Sequence, residues 1–255
     1  MRRAHGILLA ILLLAAALPA RAQIVNVLTP WVKAPSDGFC FSVGESIALR
    51  QGNTNFFSIA GDISLRYLAG DHQLKLLVAS DLKFVDDERK LNHHFSHLRY
   101  IWRFHPGLSL YLFGQAEHNE FRAMELRAVG GAGLEVELAA TDWIRAALAI
   151  SIMPEYEVVT DEEEYEHEGG YTTRLSPYFT LAVAAKPWIT LASTTFLQPG
   201  MPRGDFRVFH EDALIVELTK HLSLKLALKV THDSEPPLGV EPTDISIKQG
   251  FKLKF

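Results

Sequence analysis

The sequence has a single cysteine, Cys40, so no intramolecular disulfide holds its 255 residues together. Basic side chains are in the minority, 25 Lys and Arg against 30 Asp and Glu. That balance argues against nucleic acid, which rewards basic surfaces. Pro- and Gly-rich stretches are short, and no linker or shift in composition divides the chain, which points to one domain. Long apolar runs are missing too: the stretch GILLAILLLAAAL near the start amounts to about 12 residues against the roughly 20 of a spanning helix.

That short run has a different meaning. Arg2 and Arg3 precede it, and Pro19 and the triplet Ala20-Arg21-Ala22 follow it, the layout of a secretory signal peptide with an A-x-A cleavage site. Residues 1–22 are expected to be the leader, 23–38 an N-terminal periplasmic segment, and 39–255 the folded domain. Loss of Arg2, Arg3 and Arg21 with the leader leaves 22 basic against 30 acidic side chains.

From Phe39 onward the apolar residues recur with a period of two. In FSIAGDISLRYL, Phe57, Ile59, Ile63, Leu65 and Tyr67 share one face, and Ser58, Asp62, Ser64 and Arg66 the other. HLSLKLALKV sets Leu222, Leu224, Leu226, Leu228 and Val230 against Ser223, Lys225 and Lys229. This is the pattern of strands whose two faces meet different solvents. Twelve such segments are expected, at 39–50, 56–68, 73–84, 94–104, 108–119, 123–138, 143–158, 171–184, 188–198, 205–218, 222–232 and 245–255. Most match the roughly 9–11 tilted residues that cross a bilayer.

The connections sort by parity. AGDH, HPG, AATD, AAKP and TKH are tight; VDDERKLNH, DEEEYEHEGG, QPGMPRG and DSEPPLGVEPTD are longer. Short turns on one rim and longer loops on the other predict an all-β fold, a single transmembrane antiparallel up-and-down β-barrel of about 12 strands in the outer membrane. Tyr67, Trp102, Trp143 and Trp188 fall at the short-turn rim and Phe84, Tyr156, Tyr171 and Phe206 near the other, as two interfacial girdles would. A soluble barrel would show the same period inside out; strand length, the even count and the ending favour lipid. The last strand, SIKQGFKLKF, carries Phe251, Leu253 and a terminal Phe255, which look like the signal read by the barrel assembly machinery. Outer-membrane lipid, lipopolysaccharide and that machinery are the expected partners.

Three stretches, FSVGESIALRQGNTNFFSIAGDISLRY, LRAVGGAGLEVE and FRVFHEDALIVELTKHLSLKLALKV, resemble the family of salt-induced outer-membrane proteins, a domain of unknown function, over roughly 39–255. The resemblance implies an outer-membrane barrel of Gram-negative bacteria with no established chemistry. The acidic loop at 160–170 departs from it.

Candidate chemistry is sparse. LRAVGGAGLEVE lacks the third glycine and the following helix of a dinucleotide loop, so no cofactor is expected and its glycines read as close packing or a bend. DEEEYEHE at 161–168 has carboxylates for a hard cation but not the spacing of a calcium loop, and no metal site is expected. His94 and Ser96 share the lipid face and resemble the His-x-Ser pair of outer-membrane lipid A deacylases, with Glu117, Glu120 or Glu125 as the acid; this hydrolase is the alternative to a non-enzymatic barrel. The lumen face collects Asp62, Arg66, Lys75, Asp81, Arg99, Arg103, Glu117, Glu125, Arg127, Glu135, Glu137, Arg145, Lys225 and Lys229. Both signs on neighbouring strands suggest pairing across the interior, either as a polar core with at most a narrow pore or as a diffusion channel. A structural or salt- and stress-related envelope protein is the first expectation, a porin for small solutes the second.

Overall fold

The computed structural model describes residues 37–50, 56–86, 88–120, 124–159, 170–201, 204–236 and 241–254. The predicted leader, most of the predicted periplasmic segment, the acidic run 161–168 and Phe255 lie outside the described residues.

The elements are all strands: β1 (Gly38–Arg50), β2 (Phe56–Ala69), β3 (His72–Val85), β4 (Glu88–His105), β5 (Leu108–Asn119), β6 (Met124–Ala140), β7 (Ile144–Val159), β8 (Gly170–Leu175), β9 (Tyr178–Lys186), β10 (Ile189–Met201), β11 (Phe206–Glu217), β12 (Leu222–Asp233) and β13 (Thr243–Lys254). Each pairs antiparallel with its neighbours, and β13 closes on β1. β8 and β9 both lie between β7 and β10. They form one stave interrupted at Ser176–Pro177, where proline has no N–H to give the ladder, so the barrel has twelve staves.

Exposure decides which face meets lipid. Buried positions include Arg99, Glu117, Arg127, Glu155, Arg174, Arg207 and Glu211, while Leu74, Leu98, Leu112, Leu134, Ile150, Leu191, Leu226 and Ile247 are exposed. Charges inside and an apolar wall outside make a transmembrane β-barrel; a water-soluble barrel would reverse the two. Trp102, Trp143, Trp188, Tyr67, Tyr156, Tyr171 and Phe206 are exposed on that wall.

Two expected loops are different. VDDERKLNH is not a long connection: Asp86 turns the chain with φ 50° and β4 begins at Glu88. The alternation there carries charge where the strand extends past the apolar band, which made it read as loop. QPGMPRG likewise continues β10 to Met201, tied down by the Gly200 N–H donating to the Asp205 carbonyl at 2.7 Å.

Candidate functional site

The candidate site is the lumen. Asp62 and Arg66 on β2, Lys75 and Asp81 on β3, Arg99 and Arg103 on β4, Glu117 on β5, Arg127, Glu135 and Glu137 on β6, Arg145 on β7, and Lys225 and Lys229 on β12 occupy inward positions of their strands. Glu125 does not. A register shift between Met124 and Leu126 leaves it exposed, with its carbonyl accepting from His118 Nδ1 at 2.8 Å.

One half of the lumen is filled. Tyr111, Tyr178, Phe196 and Phe209 pack with Ile101 and Ala149 into a buried cluster, with Phe113 against it. The Arg99 guanidinium lies 4.0 Å over the Tyr111 ring and 5.5 Å from that of Tyr178, a cation–π stack that lets a charge sit among aromatics. The Tyr178 hydroxyl donates to Glu135. Gly131 and Gly133 make this possible, because a Cβ at either would run into the Phe113 or the Tyr111 ring; that is the role of the glycines in LRAVGGAGLEVE.

Beside the aromatics lies a buried ion network. Glu155 accepts from Arg127 at 2.5 Å, Arg207 at 2.9 Å and Arg174 at 3.4 Å. Arg207 also reaches Asp233 at 2.8 Å and Glu157 at 3.3 Å, and Arg174 reaches Asp205 at 2.6 Å. Glu117 takes Arg127 at 3.4 Å on one oxygen and His93 at 3.0 Å on the other. Three guanidiniums thus face five carboxylates in a space where each side chain is at most 10% exposed. Glu155, Glu157, Arg174, Arg207, Asp205 and Asp233 were not among the expected lumen residues. The signal was present for two of them, since Ser151, Met153, Glu155 and Glu157 share a face by period two.

The other half is hollow. A cavity of about 850 Å³ is walled by β1–β4 and β9–β13 and reaches the short-turn rim at Asp142, Trp143, Lys186 and Pro187. On its strand walls stand seven cations, Arg66, Lys75, Lys186, Lys225, Lys229, Lys248 and Lys252, against five carboxylates, Glu45, Asp62, Asp81, Glu211 and Glu217. Lys248 pairs with Asp81 at 2.5 Å and Lys252 with Asp62 at 3.6 Å, while Lys225 and Lys229 share Glu211 at 2.9 and 3.3 Å. The hollow wall is therefore cationic and the filled wall anionic, so the lumen is polarised across its width.

His94 and Ser96 lie on the outer wall. The His94 ring pairs through Nδ1 with Ser80 Oγ on β3, at 3.0 Å, and stacks on His118 at 6.0 Å. Of the candidate acids, Glu117 points the opposite way, into the lumen, and Glu120 accepts from Asn92 at 3.0 Å. The histidine's serine partner is Ser80 rather than Ser96. A second polar chain on the same wall joins Thr195 to His210 at 2.8 Å and His210 to Asp212 at 3.1 Å, closing on itself in the apolar surround. Phe251 and Leu253 face outward on β13, 54% and 43% exposed.

Residues 43–255 match the family described as "Protein of unknown function, DUF481", and the chain belongs to that family. No curated protein matches it at a significant level. Among solved structures it is similar to the NanC porin, with 8% identity, a TM-score of 0.49 and coverage of 84% of this chain and 97% of that one. It is also similar to the KdgM porin (9% identity, TM-score 0.45, coverage 85% and 96%). The translocator domain of the autotransporter NalP from Neisseria meningitidis is a third (9% identity, TM-score 0.42, coverage 88% and 91%).

Proposed function

We propose that this chain is an integral outer-membrane barrel of the Gram-negative envelope whose lumen offers a narrow, one-sided passage for small anions, in a structural or salt- and stress-related role. The observation that carries the reading is the division of the lumen. A barrel built only as a polar core would be filled throughout, whereas an open diffusion porin would not have half its section closed by Tyr111, Tyr178, Phe196, Phe209 and a buried ion network. The hollow that remains carries more cationic than anionic side chains on its strands, seven against five, and an excess of one sign favours counter-ions. Lipid and lipopolysaccharide surround the wall, and the outward Phe251 and Leu253 fit a strand handed over by the barrel assembly machinery.

The test is conductance in planar bilayers under a salt gradient. Small unitary steps with a reversal potential on the anion side are expected. Porin-sized steps, or a cation preference, would overturn the reading. Recovery of the protein without detergent in the periplasmic fraction would remove its premise.

A further inference from the structure

The barrel's closure is uneven. β1 pairs with β2 through thirteen residue pairs, from Gly38↔Leu68 to Arg50↔Phe56, but with β13 through four, Ser42↔Lys254 to Glu45↔Phe251. Among the described residues no pair joins 46–50 of β1 to 243–250 of β13, although β13 is fully paired to β12 from Leu222↔Leu253 to His232↔Thr243. Ser46 still stands beside Gly250, where an added Cβ would lie 4.0 Å from its own; beyond them the ladder between the two strands is missing, and both edges present backbone groups that hydrocarbon cannot satisfy. Polar side chains flank the split on the lipid side: Glu45 and Gln249 are exposed there. The cationic hollow reaches both edges, at Ser46, Gln249 and Gly250.

We infer that the hollow is a binding site for a single-chain amphiphile with an anionic head, a fatty acid or monoacyl phosphate, which enters sideways from the bilayer through the β1–β13 seam. Charge and access together point to that ligand. A lipid-side entrance selects molecules dissolved in the bilayer, and Lys229, Lys248 and Lys252 just inside select an anionic head. The space of about 850 Å³ falls within the roughly 300–1,000 Å³ of small-molecule pockets, and Ala227, Ile215 and Leu77 on its wall offer contact for a chain. The inference rests on the transmembrane placement of the barrel and not on ion conduction.

The split can be pinned at its foot, so that it cannot widen toward the lysines. A Cβ on Gly250 would stand 4.0 Å from that of Ser46, with its nearest other neighbour the Glu45 carbonyl at 3.7 Å, and disulfides span Cβ pairs at about 3.5–4.5 Å. The double variant Ser46→Cys, Gly250→Cys, with Cys40→Ser to remove the native thiol, is placed in phosphatidylcholine vesicles. It is photolabelled with a fatty acid carrying a diazirine on its chain, and adducts are mapped by mass spectrometry. On β12, Ala227 and Lys229 face the hollow and Leu226 and Leu228 face lipid, so neighbouring residues report the two compartments. Adducts at Ala227 and Lys229 are expected in the reduced protein, falling several-fold on oxidation and returning with reductant, while those at Leu226 and Leu228 hold steady. Absence of inward adducts in the reduced protein would overturn the site, and inward adducts indifferent to oxidation would overturn the lateral route. The unsubstituted chain gives a second test: a diazirine amphiphile of equal length with a trimethylammonium head should label the inward residues several-fold less, and equal labelling would overturn the anionic preference.

Discussion

Both halves of the lumen set cations against carboxylates, yet they behave oppositely. On the filled side, arginines meet carboxylates several at a time, as where Glu155 holds three guanidiniums, and the side chains are 2–10% exposed. On the hollow side lysines meet carboxylates mostly in twos, and Lys225, Lys248 and Lys252 keep 24–36% of their side chains exposed. Arginine's planar fork and weak hydration suit shared, dry contacts, whereas the strongly hydrated ammonium of lysine holds water near it. Arg66 on the hollow wall apart, the choice of cation thus marks which half is packed and which is left open.

The sharpest way to break this comparison is to remove the hub of the dry side. Glu155→Ala would remove the carboxylate that Arg127, Arg174 and Arg207 share, leaving them only their other carboxylate partners, and breaking a buried pair costs about 3–5 kcal/mol. The folded barrel in detergent should unfold at a much lower denaturant concentration. Asp81→Asn, which removes a partner of Lys248 on the hollow side, should cost less, because its lysine is 36% exposed and exposed pairs contribute about 0–1 kcal/mol. Equal losses would mean that the two halves are not energetically distinct.

Tyr178→Ala tests whether the aromatic cluster closes the passage. Truncating a buried aromatic costs about 3–5 kcal/mol, and here it also frees Glu135 and opens space between Phe196 and Tyr111. Unitary conductance should rise. Unchanged conductance in a folded variant would place the constriction elsewhere.

A smaller effect is expected from Lys252→Gln. Its partner Asp62 is 38% exposed, so the loss of stability should stay within about 1 kcal/mol, while the reversal potential should move toward cations. Selectivity unaffected by this change would detach the lysines from the passage.

Much of the fold was legible because a period of two needs no knowledge of neighbours. The twelve staves follow from it, the eighth as one segment broken in the structure only at Pro177. It failed where local geometry departs from the ladder, as at the register shift that turns Glu125 away, and where charge on a strand beyond the apolar band mimics a loop, as at Glu88–Leu91. Inward parity placed Arg99, Glu117 and Arg127, yet nothing local says that Glu155 on β7 meets Arg207 on β11; their meeting depends on closure of the barrel. The division into filled and hollow halves was out of reach for the same reason. It depends on which long side chains lean on Gly131 and Gly133 and which stand in water.

The smallest effect is expected on the outer wall. A lipid-facing hydrolase would need a serine held against its histidine and an acid on the histidine's other side. The His94 ring instead pairs through Nδ1 with Ser80, at 3.0 Å, and stacks on His118, while Glu117 turns inward to His93 at 3.0 Å. Ser96 lies opposite Val78 and Ala116 in the two ladders, small apolar neighbours that offer it no relay. Expression of the protein should therefore leave the acyl pattern of lipid A unchanged in mass spectra, and Ser96→Ala should be indistinguishable from the parent in both lipid pattern and stability. Loss of an acyl chain on expression, restored by Ser96→Ala, would show that the wall rearranges into a catalytic site around a substrate, and the contrast that matters would then lie between the lumen and the lipid face rather than between the two halves of the lumen.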